Sequence, residues 1–296
     1  MNESKENILI NMVRYKELLP LFEHLAEKRI PYAVVKGELL SMFAYGKLGQ
    51  RLSGDIDILV SVKNIAKVKS GLLACGFDVR NKNRSHQVTA ISTTNQSIPY
   101  YKKAYGIEIE IDINHDIFWG EYTGKRINID EFLSDSIEMT IYGLRVKTIS
   151  PLKAMVQLIL HHYQECNSIY NLSGYNCISF NKFKDVYFLW RNNKEAISQD
   201  IYKLSYEYGI VPYVYNILYY TNKIFNDNDL GKKIKELETP EGIALLDCYG
   251  LTDDERKTWR IDFFTRLNTT DLFQFIKDDL TQSDFEKIKR AKEIFG

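Results

Sequence analysis

The strictest pattern in the chain is the run Ile107-Glu108-Ile109-Glu110-Ile111-Asp112-Ile113-Asn114, in which four isoleucines alternate with four polar residues. A period of two belongs to a strand with one buried and one polar face, and this polar face carries three acids in succession. Shorter apolar runs predict strands at Tyr32–Val35, bounded by Pro31 and the Lys36-Gly37 turn, and at Asp55–Val60. A further strand is expected to open at Phe77–Val79, with His86–Ile91 continuing the sheet. Helical spacing fills the intervals. Residues 5–28 (Ile8, Met12, Leu18, Leu19, Phe22, Leu25) read as a first helix with a break expected near Pro20. Glu38–Tyr45 reads as a second helix stopping at Gly46, and Asn64–Cys75 as a third ending at Gly76.

From Ser150-Pro151 the character changes, proline being tolerated at a first helical position. Helical periodicity then runs over Leu152–Tyr163, Phe180–Arg191, Glu195–Tyr208 and Pro212–Phe225. Thr252-Asp253-Asp254-Glu255 matches a capping box and predicts another helix, with one or two more after Asp271. The pattern divides the chain into an α/β half, 1–149, and an all-helical half, 150–296, with no Gly/Ser linker between them.

Composition narrows the function classes. At 296 residues, 45% hydrophobic and 26% charged, the chain has ordinary globular content and can bury a substantial core. Thirty-nine basic side chains balance 39 acidic ones, so no net field draws the protein to nucleic acid or to a membrane. No apolar run approaches the roughly 18 residues of a membrane span, and the opening reads as a helix start rather than a leader. The four cysteines lack metal-ligand spacing and read as reduced, mostly buried thiols. A cytoplasmic protein with no membrane partner is the expectation.

The chemistry concentrates in Arg51-Leu52-Ser53-Gly54-Asp55-Ile56-Asp57-Ile58-Leu59-Val60. In a strand, Asp55 and Asp57 project from one face about 7 Å apart along the chain. Two like charges so placed repel unless a cation lies between them, which makes them good Mg²⁺ ligands. At the Lys36-Gly37 turn, backbone N–H groups and glycine's small size suit an approaching phosphate, and Lys36 adds a point charge. Arg51 and Ser53, on the loop before the aspartates, are placed to hold phosphate oxygens. His161 and His162 are adjacent on a helix, about 100° apart, and read as packing residues rather than one site. No P-loop, G-x-G-x-x-G, G-x-S-x-G or zinc pattern is present.

Taken in order, Val34-Val35-Lys36-Gly37-Glu38-Leu39-Leu40, Tyr45, Arg51, Ser53, Asp55–Val60 and Ile111-Asp112-Ile113-Asn114-His115 resemble the nucleotidyltransferase superfamily of DNA polymerase β. Within it, the chain is similar to a bacterial group carrying Lys-Gly in place of Gly-Ser. Ser150-Pro151, His161-His162 and Lys184-Asp185-Val186 extend the likeness. The resemblance implies an α/β (α+β) fold: a small mixed sheet flanked by helices in a catalytic domain, 1–149, then a helical substrate or acceptor domain, 150–296. It also implies metal-dependent transfer of a nucleoside monophosphate, AMP from ATP being the first candidate, onto a hydroxyl with release of pyrophosphate. Asp55 and Asp57 would be the first two metal ligands and Asp112 the third, with Glu110 its rival two residues away on the same face. Lys36, Gly37, Arg51 and Ser53 would face the nucleotide, with Mg²⁺ or Mn²⁺ as cofactor. The acceptor is left open among a small molecule, a protein and an RNA, although neutral charge weighs against tRNA. The alternative is a catalytically degenerate member that binds nucleotide or a partner, such as a regulatory or toxin–antitoxin component.

Overall fold

The structure is a computed structural model that describes residues 3–51, 53–119, 126–174 and 177–295, so Leu52 of the acidic motif lies outside the described residues. The chain divides into two compact units, Met1–Ala154 and Met155–Gly296.

The first unit opens with α1 (Glu3–Glu27), β1 (Ala33–Val35), α2 (Gly37–Tyr45), β2 (Asp55–Leu59) and α3 (Ile65–Ala74). It continues with β3 (Asp78–Val79), α4 (Arg84–Thr93), β4 (Tyr100–Ala104), β5 (Ile107–Asn114), α5 (Ile129–Phe132), and the hairpin β6 (Ile137–Ile141) and β7 (Leu144–Thr148). Five strands form one sheet in the order β1-β2-β5-β4-β3. The pair β2–β5 is parallel and every other neighbour antiparallel, so the sheet is mixed. The alternation in β5 does what a period of two requires. Ile109, Ile111 and Ile113 are fully buried, packed in one core with Ile56 and Ile58 of β2, Leu18, Leu21, Phe22 and Leu25 of α1, and Val68 and Leu72 of α3. The acids are left on the opposite face.

Two expectations in this unit are corrected. No break occurs at Pro20, where α1 runs on uninterrupted. Proline removes one backbone bond there, but buried Leu18, Leu21, Phe22 and Leu25 hold both sides of it to the same core. His86–Ile91 is part of helix α4 rather than a strand. The Asn83 side chain accepts hydrogen bonds from the N–H groups of Ser85 and His86 (2.9 and 3.4 Å), an N-cap that fixes a helix start. Within α4 only Ala90 is fully buried and Val88 is exposed, and β4 pairs with β3 instead.

The second unit takes up most of α6 (Pro151–Asn167) and adds α7 (Ile169–Leu172), α8 (Phe180–Asn192), α9 (Lys194–Ser198), α10 (Ile201–Glu207), α11 (Val211–Phe225), α12 (Asn228–Glu236) and α13 (Pro240–Ala244). A two-stranded hairpin, β8 (Cys248–Tyr249) and β9 (Lys257–Thr258), precedes α14 (Phe263–Leu267), α15 (Phe273–Ile276) and α16 (Gln282–Phe295). The stretch expected as one helix over Glu195–Tyr208 is thus divided between α9 and α10. Thr252–Glu255 does not open a helix but forms the turn between β8 and β9. The Glu255 carboxylate accepts from Leu251 N–H and Lys287 instead of reaching back to Thr252. Gly250 permits this turn: its φ is +94°, and a Cβ there would lie 2.4 Å from the Glu255 carbonyl oxygen. Among the described residues no helix is long and apolar enough to cross a membrane.

Candidate metal centre

Parallel pairing of β2 with β5 sets Asp55 beside Glu110 and Asp57 beside Asp112. Since all four lie on the face away from the isoleucines, their carboxylates share one patch. Asp55, Asp57 and Asp112 each bring a carboxylate oxygen within 4.8 Å of the other two. Glu110 turns aside: Arg80, just beyond β3, pairs with both Glu110 and Glu108. That ion pair separates the two rivals for the third position and leaves Asp112 in the cluster.

The three acids are unequally served. Asp57, the most buried, accepts on Oδ1 from Lys36 Nζ (2.7 Å) and Asn114 Nδ2 (2.9 Å). Asp55 is steadied through its backbone, where Ser53 Oγ donates to the Asp55 carbonyl (2.8 Å). Asp112 Oδ1 is buried with no hydrogen-bond partner among the described residues. Burial, followed by the charges of Asp57 and Asp55, pushes the Asp112 carboxyl up to about 8. Asp55 is raised in the same way, by burial first and then by Asp57. An unpartnered buried oxygen within three converging carboxylates is a hard-oxygen donor set that fits Mg²⁺ or Mn²⁺. Those three side chains are the residues that would hold it.

Lys36 and Gly37 form the turn from β1 into α2, both with positive φ (57° and 44°). At Gly37 the reason for glycine is conformational, because a Cβ would meet Ser53 Oγ at an ordinary 3.5 Å. At Lys36, ψ is −146°, in a region nearly reserved for glycine and costing about 1–3 kcal/mol for other residues. Its ammonium is directed at Asp57. Arg51 is half-buried on the loop that leads into β2.

Three contributors are given no role by the sequence reading. Arg14 of α1 donates to the Ser53 carbonyl and to Asn11 Oδ1 (3.2 Å), and its charge acts on Asp55. Nothing in an amphipathic helix marks it. Asn114 shares the polar face of Asp112, so the alternation did contain that signal. Glu38, fully buried in the first turn of α2, accepts from Asn11 Nδ2 (2.5 Å), Gly49 N–H (2.8 Å) and Tyr142 Oη (2.9 Å). It thereby ties α1, the loop before β2 and the β6–β7 turn to the helix that follows Lys36.

Two histidine readings are now defined. His115 is buried, and burial followed by the charge of Arg126 lowers it to about 4, leaving a neutral imidazole. The view that His161 and His162 cannot share a site is overturned. His161 Nε2 and His162 Nδ1 lie 3.3 and 3.1 Å from the same oxygen, Glu165 Oε2. Positions i+4 and i+3 place one carboxylate within reach of both rings. Lys182 Nζ also reaches that oxygen, at 2.6 Å, so the carboxylate already has a cationic partner.

A small mixed sheet presents two aspartates on one strand and a third on its parallel neighbour, the arrangement that the resemblance in the sequence implies. A family model described as "uncharacterised nucleotidyltransferase" matches residues 2–226, and the chain belongs to that family. No curated protein matches it. Among solved structures it is similar to an antigenic nucleotidyltransferase-like protein from Paracoccidioides brasiliensis, with 15% identity and a TM-score of 0.40, over 74% of this chain and 91% of that one.

Proposed function

We propose that the protein is a metal-dependent nucleotidyltransferase that moves a nucleoside monophosphate, AMP from ATP in the first instance, onto a hydroxyl of a cytoplasmic acceptor. The bond from the acceptor oxygen to the α-phosphorus forms, the bond from that phosphorus to the β-phosphate breaks, and pyrophosphate leaves. The observation that carries this reading is the convergence of one carboxylate oxygen each from Asp55, Asp57 and Asp112 within 4.8 Å, together with the unpartnered buried Oδ1 of Asp112. In the proposed assignment Asp55, Asp57 and Asp112 would hold the divalent ions, Asp112 on the side of the acceptor hydroxyl, and the ions would supply activation of that hydroxyl and neutralisation of the leaving pyrophosphate. Lys36, Gly37, Arg51 and Ser53 serve the triphosphate. The acceptor is a small molecule, a protein or an RNA.

One observation favours a second reading, a nucleotide- or partner-binding protein without catalysis: Lys36 already neutralises Asp57. Incubation with each α-labelled nucleoside triphosphate, Mg²⁺ or Mn²⁺ and a cell extract separates the two. Label retained in the protein, RNA or metabolite fraction, and lost in Asp57→Asn, supports transfer. Nucleotide binding with no labelled fraction under any condition supports the second reading.

A further inference from the structure

Lys36 sits in the carboxylate cluster in a way that a solvent-facing phosphate ligand would not. Its side chain is 12% exposed, its Nζ lies 2.7 Å from Oδ1 of Asp57, and Asp57 itself is 4% exposed. The backbone is held in a glycine-like conformation, φ 57° and ψ −146°, to deliver the ammonium there. With three carboxylates inside 4.8 Å, this one positive charge offsets part of a repulsion that would otherwise open the cluster.

A divalent ion on the same three acids needs the Asp57 carboxylate that the ammonium holds. Two cations at contact distance of one buried carboxylate repel strongly in a low-dielectric setting. A triphosphate offers the ammonium another anionic partner. We propose that Lys36 is the cluster's internal counter-cation, which keeps the acids together without metal and must leave Asp57 for a divalent ion to bind, so that nucleotide and metal bind synergistically. This rests on the reading of Asp55, Asp57 and Asp112 as metal ligands. It makes Lys36 a device that couples two ligands, beyond a plain contact to phosphate.

The test is Mn²⁺ titration of the full-length, metal-free protein, followed by calorimetry, with and without a non-hydrolysable ATP analogue. Wild type is expected to bind Mn²⁺ weakly alone and more tightly with the analogue. Lys36→Met should bind Mn²⁺ alone about tenfold more tightly or better, and lose most of the enhancement by nucleotide. Lys36→Gly suits the positive φ, removes the charge while relieving strain, and should behave likewise, so a folding failure of the Met variant leaves the question answerable. After metal is stripped with EDTA and the chelator removed, both variants should respond to added Mn²⁺ with a larger rise in melting temperature than wild type. Unchanged or weaker Mn²⁺ affinity in a folded Lys36→Gly protein overturns the inference. Undiminished Mn²⁺ binding in Asp57→Asn and Asp112→Asn would instead overturn the metal-site reading on which it rests.

Discussion

Asp57 and Asp112 lie side by side across the parallel pair β2–β5, yet Asp57 receives two hydrogen bonds on one oxygen while an Asp112 oxygen receives none. Their removal should therefore act differently on the metal-free fold. Asp57→Asn removes the carboxylate charge that the Lys36 ammonium meets at 2.7 Å and should lower stability by about 1–3 kcal/mol. Asp112→Asn replaces a carboxyl whose ionised form burial and the charges of Asp57 and Asp55 disfavour, and should hold or raise it, most clearly above about pH 8. Both variants should lose Mn²⁺ binding. Urea unfolding in EDTA measures the first pair of effects and calorimetry the second; a stabilised Asp57→Asn would contradict the assigned role of Lys36.

Stability should also carry a pH signature of the same acids. The Asp112 carboxyl is raised to about 8 in the folded state, so between about pH 4 and pH 8 the fold binds a proton that the unfolded chain has released. The resulting stabilisation is complete below that window and is lost as pH rises through it. Asp55, also raised, contributes with the same sign. Melting temperatures across this range in EDTA should fall with pH at these sites, and Asp112→Asn should show a flatter profile than wild type.

The acids were legible because strand chemistry is local. A period-two run and an Asp-x-Asp pair both declare a face, and the buried isoleucines of β5 confirm which face it is. Register is not local: only parallel pairing brings residue 112 beside residue 57. The contact that engages Glu110 beside Asp112 is not local either: it comes from Arg80, 30 residues away. Arg14 reaches Ser53 over 39 residues and looks like any solvated helix position. Where local reasoning failed, a local signal was often present and outweighed. Asn83 caps α4, and one side-chain cap decided between helix and strand for a short, weakly apolar segment. Thr252–Glu255 satisfies the capping-box pattern, but that pattern also fits a turn tightened by Gly250, and β8–β9 takes it.

Glu38 should prove structural, although it stands in the Lys-Gly-Glu motif. Its carboxylate is the common acceptor for Asn11, Gly49 and Tyr142. Glu38→Ala takes the acceptor from two buried donors, Asn11 and Gly49 N–H, and from half-buried Tyr142, and should cost about 3–5 kcal/mol. Tyr142→Phe removes one of the three bonds and should cost about 1 kcal/mol. Denaturant midpoints at constant slope give both numbers, and a near-neutral Glu38→Ala would show that α2 is held by other contacts.

The second unit has its own half-buried charge, and it should make that unit sensitive to acid. Burial alone would raise the Glu165 carboxyl, but His161, His162 and Lys182 outweigh it and hold the group well below the usual range. A carboxylate depressed in the folded state stabilises above its unfolded value, and that stabilisation is lost as pH falls through the folded one. Glu165→Gln keeps the shape but removes the charge that Lys182 meets at 2.6 Å, so it should destabilise at neutral pH and narrow the gap to wild type as pH falls. Lys182→Met tests the same contact from the other side. Because it leaves both imidazoles within reach of the carboxylate, it should lower stability at neutral pH less than Glu165→Gln does. Melting curves of the three proteins between neutral and mildly acidic pH decide it. Parallel curves would show that Glu165 and its partners contribute packing and not charge.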